Sequence, residues 1–355
     1  MQGNLSELSE EDEETSMIKH FKEYKRDIKG LKKVILQYFK DHKKIKPSSR
    51  EFYRIGRVLG RGAFGKVNLA CHKVTEHLVA IKALDKKVLS NEKEQKRRVM
   101  QEMAILKQSG HENVVRLYDS FETNKHICFV MELCQGGDIL SYVRKRRKLK
   151  EDNAKYLFKQ LLSGLKYIHT QKFVVHRDIK LDNILLDQSG RIKICDFGVS
   201  KQVKSEKERM TEQCGTPAYI APEIISEQGY KGFKSDMWSA GVCLYVMLVG
   251  TVPFRAGSMK ELHKMIMKGK YDFQGETVSA QAKDLLSKLM CGNVKKRFSA
   301  EEALKHPWLQ KTDQGLKLDT DRSDLAEIIF TPKEIDTIQK EYISRLEKLK
   351  RQQTK

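Results

Sequence analysis

The 355-residue chain carries 68 Lys and Arg against 47 Asp and Glu, a formal charge of +21, and 39% of its residues are hydrophobic. That length and apolar share suit one large domain or two small ones, while the longest apolar run, around Ala240 to Val249, is too short to span a bilayer. The basic excess suits polyanionic partners such as nucleic acid, anionic lipid or phosphorylated ligands, against the plainer reading of a lysine-rich surface.

In chain order, residues 1–15 (MQGNLSELSEEDEET) are polar and acidic and read as disordered. They show no signal or transit pattern, and Gln2 excludes the glycine that myristoylation needs. Over residues 17–39, Met17, Phe21, Tyr24, Ile28, Leu31, Ile35 and Tyr38 recur at spacings of four and three, which predicts a basic amphipathic helix. Such a helix suits a calmodulin-like groove, a regulatory partner helix or a membrane surface; the alternative is packing on its own domain. KPSSR, 46–50, reads as a linker.

From Glu51 to about Leu84 the pattern is strand-like: YRIGRVLG and KVNLACHK flank a glycine-rich turn, and LVAIKAL follows. A charged helix is predicted over about 93–107, then two strands, VVRLYDSF (114–121) and HICFVMEL (126–133). Beyond Gly137 the period becomes helical, as in NAKYLFKQLLSGLKYIH. A β-rich part followed by a mainly helical part is an α+β arrangement. The tail, 310–355, reads as a linker and a second amphipathic helix marked by Ile335, Ile338, Tyr342, Leu346 and Leu349. A calcium loop starting at Asp319 fails, because the turn glycine is missing and Phe330 stands where a bidentate glutamate is needed.

Seven cysteines (Cys71, Cys128, Cys134, Cys195, Cys214, Cys243 and Cys291) are scattered without zinc-finger or C-x-x-C spacing. They predict a reducing, cytoplasmic setting. RKRRKLK, 144–150, would leave nuclear access open, or form a solvated face. Aromatics are not interleaved with it, so no specific nucleic-acid partner is expected.

LGRGAFGKV, 59–67, places Gly60, Gly62 and Gly65 in a turn that continues as a strand rather than opening a helix. That favours a hairpin lid over phosphates, where backbone amides approach oxygen atoms closely. Lys82, in V-A-I-K, follows Val67 by fifteen residues on an apolar strand. Further on, HRDIKLDNILLDQSGRIKICDFG, 176–198, holds Asp178, Asn183 and Asp196, the last inside an apolar run.

These motifs, with A-P-E at 221–223, occur in the order and rough spacing of the eukaryotic protein kinases, which residues 53–309 resemble. The resemblance implies a bilobal α+β fold, with an N-lobe over 53–134 and a C-lobe over 135–309. It implies ATP and two Mg²⁺ ions as cofactors, with Asn183 and Asp196 as metal ligands. Asp178 would orient the incoming hydroxyl and take its proton, and Lys180 would steady the γ-phosphate. Leu59, Gly60, Arg61, Gly62, Ala63, Phe64, Gly65, Lys66 and Val67 would cover the phosphates. Lys82 would reach them, aimed by Glu102, with Glu94 as the substitute. The adenine would lie between Val67 and Ala80 above and Leu185 below. It would bond backbone at the Glu132–Cys134 hinge, with Met131 behind and Asp138 at the ribose.

Lys180 in H-R-D-x-K and the G-T-P-A-Y stretch, with Thr216 set to bond Asp178 and Lys180, imply the serine/threonine type and protein substrates. C-G-T-P-A-Y-I-A-P-E and L-K-H-P-W look most like the calcium/calmodulin-dependent and AMP-activated branch. Asp182 and Asp138 occupy positions that basophilic relatives use for an upstream arginine. Val246 stands where some cyclic-nucleotide-dependent relatives have an acid. Glu223 and Arg297 resemble a buried anchoring pair, and Asp236 a residue holding the H-R-D backbone.

The activation segment, Asp196 to Glu223, departs from the family pattern. Glu212 stands where a phosphorylated threonine is usual, preceded by Thr211, and Arg177 is the phosphate's usual partner. Either Glu212 is a permanent, weaker anion, or Thr211 is phosphorylated in a shifted register. The rival to an active enzyme is a catalytically silent, nucleotide-binding scaffold, which needs a defect at Lys82, Asp178, Asn183 or Asp196 that this sequence lacks.

Overall fold

Successive side chains along a strand point to opposite faces, and that period decides which residues share a face. The computed structural model describes residues 26, 28–43, 46–62, 65–90, 93–226 and 229–310. They divide into two compact units, Met1–Asn91 with Tyr118–Glu132, and Glu92–Leu117 with Leu133–Lys355.

The first unit is a five-stranded sheet of β1 (Tyr53–Gly62), β2 (Gly65–His72), β3 (Leu78–Asp85), β4 (Leu117–Glu122) and β5 (His126–Glu132), in the order β1-β2-β3-β5-β4. Val79, Ile81 and Ala83 of β3 share one face with Tyr53, Ala70, Phe121, Cys128 and Val130. A helix, α1 (residues 28–42), lays Leu31 and Ile35 on that cluster. Leu31 and Ile35 of the amphipathic stripe therefore pack on the first unit. The helix ends at residue 42, past the 17–39 stripe and within the expected limit of about 45, while Met17, Phe21 and Tyr24 lie outside the described residues.

The segment read as a linker is tied down. The Lys46 ammonium sits 5.3 Å from the centroid of the Phe52 ring, and Ser48 Oγ lies 2.9 Å from Tyr53 Oη. A short α2 (Lys86–Ser90) follows β3.

The second unit holds α3 (Lys93–Gln108), α4 (Ile139–Arg146), α5 (Glu151–Thr170), α6 (Pro222–Ile225), α7 (Gly232–Val249), α8 (Met259–Lys268), α9 (Ala280–Leu289), α10 (Ala300–Leu304) and α11 (Pro307–Gln310). Between α5 and α7 run β6 (Val174–Val175), β7 (Ile184–Leu186), β8 (Ile192–Ile194), β9 (Lys201–Gln202), β10 (Arg209–Met210) and β11 (Tyr230–Lys231). From Ala240 to Val249, α7 is buried at every position, which accounts for its continuous apolar run. No helix among the described residues is long and apolar enough to cross a membrane.

One predicted strand begins too early. Val114 and Val115 do not start β4; Val114 bridges Ile194, and the Val115 amide donates to the Ile194 carbonyl at 2.9 Å. Their apolar pair reads as strand in isolation, but here it buries against β8. The predicted tail helix lies outside the described residues.

The end of the second unit is clasped to its middle. Trp308 Nε1 donates to Glu151 Oε2 at 3.0 Å, and Ser279 donates to the same carboxylate through its amide and its hydroxyl. Burial alone would raise the Glu151 carboxyl, but those hydrogen bonds hold it below the usual carboxylate range. Its depressed folded value makes the clasp fully effective above the ordinary glutamate value of 4.5, and the contribution is lost as pH falls through the folded value. The stability gap between wild type and Glu151→Gln should therefore be present at neutral pH and close under acid, read from urea midpoints across pH. A gap independent of pH would contradict this. Leu31→Ala and Ile35→Ala should each cost roughly 1–3 kcal/mol, below the ~2–5 kcal/mol of a fully buried site. An unchanged urea midpoint in the double variant would count against the packing of α1.

Candidate active site

A carboxylate in the apolar α7 sets the catalytic loop. Asp236 is 1% exposed and accepts the His176 amide at 2.8 Å, the Arg177 amide at 2.9 Å and His169 Nε2 at 2.8 Å. A buried carboxylate is tolerated only when such donors satisfy it. Here they also impose a backbone that few residues adopt, with Arg177 at φ 69°. His176 adds a second brace: its Nδ1 accepts the Asp178 amide at 3.3 Å, which leaves Nε2 to donate to the Cys195 carbonyl at 3.0 Å.

Asp178 emerges from this braced turn with both oxygens engaged. Oδ1 accepts the Thr216 amide at 2.9 Å and the Thr216 hydroxyl at 2.7 Å. Oδ2 accepts Asn183 Nδ2 and Lys180 Nζ, each at 3.0 Å. Lys180 Nζ also donates to Thr216 Oγ1 at 2.9 Å, so the predicted link of Thr216 to both residues is present.

The cation site expected at Asn183 and Asp196 fits a hard divalent ion. Asn183 uses its amide nitrogen twice on Asp178, which leaves its oxygen as the group for a metal. Asp196 is exposed and held at φ 60°. A Cβ at Gly198 would come within 3.3 Å of Asp196 Oδ1 and 3.7 Å of Glu102 Oε2, so glycine keeps the space beside those carboxylates clear. Among the described residues no group of three or more His, Cys, Asp or Glu forms a metal cage. Two protein oxygen donors, with phosphate and water to complete the shell, match how Mg²⁺ binds. Glu102 is 3% exposed on α3, whereas Glu94 is exposed and bonds Arg97 and Arg98.

The first unit presents its own constellation. Because Val79, Ile81 and Ala83 face α1, Ala80 and Lys82 lie on the opposite face of β3. There Lys82 pairs with Val67 across β2 and with Phe129 across β5, and Ala80 pairs with Met131. Gly65 is a steric requirement, since a Cβ would come within 2.0 Å of the Ala83 carbonyl oxygen. A Cβ at Gly60 or Gly62 would meet nothing within 4 Å among the described residues. Leu59, Arg61 and Lys66 are exposed, and Ala63 and Phe64 lie outside the described residues.

Beyond β5, Glu132 ends the strand opposite Val79, and half-buried Cys134 follows in the second unit. Half-buried Leu185 sits in β7, bridged to Asp138. Asp138 has a role the sequence reading missed: its carboxylate caps α4, accepting the Ser141 amide at 2.7 Å and the Ser141 hydroxyl at 2.8 Å. An aspartate three residues before a serine at a helix start was the available signal.

The activation segment is fastened at three points. Arg177 Nη1 donates to Glu212 Oε2 at 2.5 Å, Thr216 bonds Asp178, and Arg297 forks onto Glu223 at 2.6 and 2.8 Å. The Arg177–Glu212 pair raises the guanidinium against the lowering effect of burial and holds the Glu212 carboxyl below its usual range. Tyr230 Oη, donating to the Glu212 carbonyl at 2.9 Å, was not foreseen from sequence.

A family model described as "Protein kinase domain" matches residues 53–309. The chain is 40% identical over 258 residues to the serine/threonine protein kinase OSK3 of Oryza sativa, covering 73% of this chain and 50% of that protein. It is 38% identical over 260 residues to the maternal embryonic leucine zipper kinase of Xenopus laevis, covering 73% of this chain and 39% of that protein. With the sperm motility kinase 2B of Mus musculus the figures are 39% over 257 residues, 72% and 51%. The chain thus spans about half the length of the curated relatives it matches, or less.

Arg297→Ala would leave the Glu223 carboxylate, 12% exposed, without its partner and uncover Trp238, over which the guanidinium sits at 5.1 Å. The expected loss is about 3–5 kcal/mol. A urea midpoint within error of wild type would refute it.

Proposed function

The chain belongs to the protein kinase family, and from that premise we propose that it transfers the γ-phosphoryl group of Mg-ATP to serine and threonine hydroxyls of protein substrates. The observation that carries this reading is the Asp178 carboxylate holding an aliphatic hydroxyl, that of Thr216, at 2.7 Å while Lys180 donates to the same oxygen. A substrate serine or threonine would take the same contacts. All four acceptor positions of Asp178 are filled, so an entering hydroxyl displaces a donor. Neutral Thr216 Oγ1 is bound less strongly than the charged lysine.

The substrate oxygen then bonds to phosphorus as the bond to the leaving nucleoside diphosphate breaks, and the hydroxyl proton passes to Asp178. Lys180 supplies positive charge beside the oxygen. Asn183 and Asp196 would hold Mg²⁺, which when bound neutralises charge on the phosphates. We assign the glycine hairpin and Lys82 to the phosphates, a reading that family membership supports.

A basic residue about three positions before the target hydroxyl is the proposed preference. Asp182, exposed in the turn Leu181–Asn183, supports it, since its carboxylate is presented to solvent beside the catalytic loop. Asp138 is the weaker candidate because Ser141 engages both its oxygens. The cytoplasm is the proposed location, on the strength of seven cysteines scattered without C-x-x-C spacing. Since α1 packs on the first unit, we do not assign it to a calmodulin-like groove or a membrane.

Asp178→Asn should lower kcat for a serine peptide by about 10²–10⁴-fold with ATP affinity little changed. A wild-type protein that binds Mg-ATP yet modifies no serine or threonine peptide would overturn the transfer reading in favour of a nucleotide-responsive scaffold. In a positional peptide library the expected selection is arginine three residues upstream, flattened by Asp182→Ala. A proline-directed or acidic consensus would refute the basophilic assignment.

A further inference from the structure

We propose that Glu212 is a positioning residue for phosphoryl transfer: a built-in anion that locks Arg177, and with it the backbone leading into Asp178, so that transfer needs no phosphate on the activation segment. This rests on the transfer reading and deepens it.

A nearly buried guanidinium needs an anion, because leaving its charge unpaired is costly. The Arg177 side chain is 7% exposed. Its Nε donates to the Val199 carbonyl, and its Nη1 donates to Glu212. Glu212 is the carboxylate whose charge raises this guanidinium; the other contributors are the Cys214 thiol and Tyr230. Arg177 ties the loop to three elements at once: α7 through the Asp236 bond to its amide, the stretch after Asp196 through Val199, and the activation segment through Glu212.

The segment is shaped to deliver that carboxylate. Just before it, β10 pairs with β11, matching Arg209 with Lys231 and Met210 with Tyr230. Tyr230 Oη then holds the Glu212 carbonyl. Three residues later Gly215 lies at φ 108° where a Cβ would come within 2.7 Å of the Arg177 carbonyl oxygen. Thr216 follows, bonded to Asp178. From Glu212 to Thr216 the segment is therefore fastened repeatedly to the two residues Arg177 and Asp178.

Thr211 does not share this pocket. It is exposed, and its Cγ2 lies 3.8 Å from the Cβ position of Gly229, beside Arg209. A phosphate there would need a shift in register to reach Arg177. Arg177 is the cation that meets Glu212 directly, Nη1 to Oε2 at 2.5 Å, and the more distant charges of Lys201 and Arg98 add to the pull on the same carboxylate.

The test uses the full chain, phosphatase-treated and confirmed unphosphorylated by mass spectrometry, with a serine peptide and Mg-ATP. Wild type is expected to keep its kcat after phosphatase treatment, and Thr211→Ala to stay within about twofold. Glu212→Gln should lose kcat by roughly 10- to 100-fold with KM for ATP little changed, and Glu212→Asp should recover part of the loss. Arg177→Ala should make the Glu212→Gln change silent, because the two act as one unit.

A second readout does not depend on turnover. Amide hydrogen exchange over residues 196–223 should quicken in Glu212→Gln while the α7 amides stay protected. Equal kcat and equal exchange in wild type and Glu212→Gln would overturn the role of Glu212, as would wild-type activity that vanishes on phosphatase treatment and returns with phosphate on Thr211. A wild type inactive throughout overturns the transfer reading instead, and the exchange comparison still judges the lock.

Discussion

The buried Asp236 carboxylate is the constraint from which the catalytic loop follows. It sits in a helix whose other residues from Ser235 to Val249 are almost all apolar, so its charge survives only because backbone amides of His176 and Arg177 and the His169 ring point at it. Those amides converge only if Arg177 takes a left-handed backbone, which a non-glycine residue adopts at a cost. The carboxylate offsets that cost. The next residue, Asp178, is thereby held within reach of Lys180, Asn183 and Thr216, and each of these comes from the loop itself or from the activation segment. A local strain is thus maintained by a distant helix, and the geometry of three polar side chains depends on it.

In the first unit the same ordering is achieved by strand period. One face of the sheet is covered by α1 and closes a core of Val79, Ile81, Cys128 and Val130. Their alternates, Ala80, Lys82 and Met131, lie together on the other face in matched register. A slip of one residue would bury the lysine under α1 and turn the core outward. The amphipathic helix ahead of the sheet therefore does more than add stability: by covering one face it specifies which residues lie on the other.

Much of this was legible in the sequence, because the residues with a chemical task stand at fixed spacings set by the backbone between them. Asp178, Lys180 and Asn183 fall within six positions, so one turn determines their relation, and Thr216 was recognisable from its stretch. The pairs Arg297–Glu223 and Arg177–Glu212 were legible only through family resemblance, since 74 and 35 residues separate their partners. Other contacts left no local signal. Glu151 bonding Trp308 spans 157 positions, and Val114–Val115 pair with β8 rather than extend β4 because burial outweighs strand propensity. The partner of α1 was likewise beyond reach: periodicity gives the apolar face of a helix but not what covers it.

Charge shows the same limit. A total of +21 invites a polyanionic partner, and RKRRKLK is the densest cluster. In the fold that cluster is the C-terminal turn of α4 and its exit. Arg144, Lys145 and Arg146 lie where a helix favours cations, Arg146 stacks 3.9 Å over Tyr142, and Lys148 pairs with Glu276. Leu149 is buried there, with its amide bonded to the Met247 carbonyl. Elsewhere, Arg177, Lys201 and Arg98 act on a single carboxylate of the activation segment. Basic residues that look like a surface for something external thus also serve to end helices and fix a loop, and net charge cannot separate the two uses because both require the same side chains.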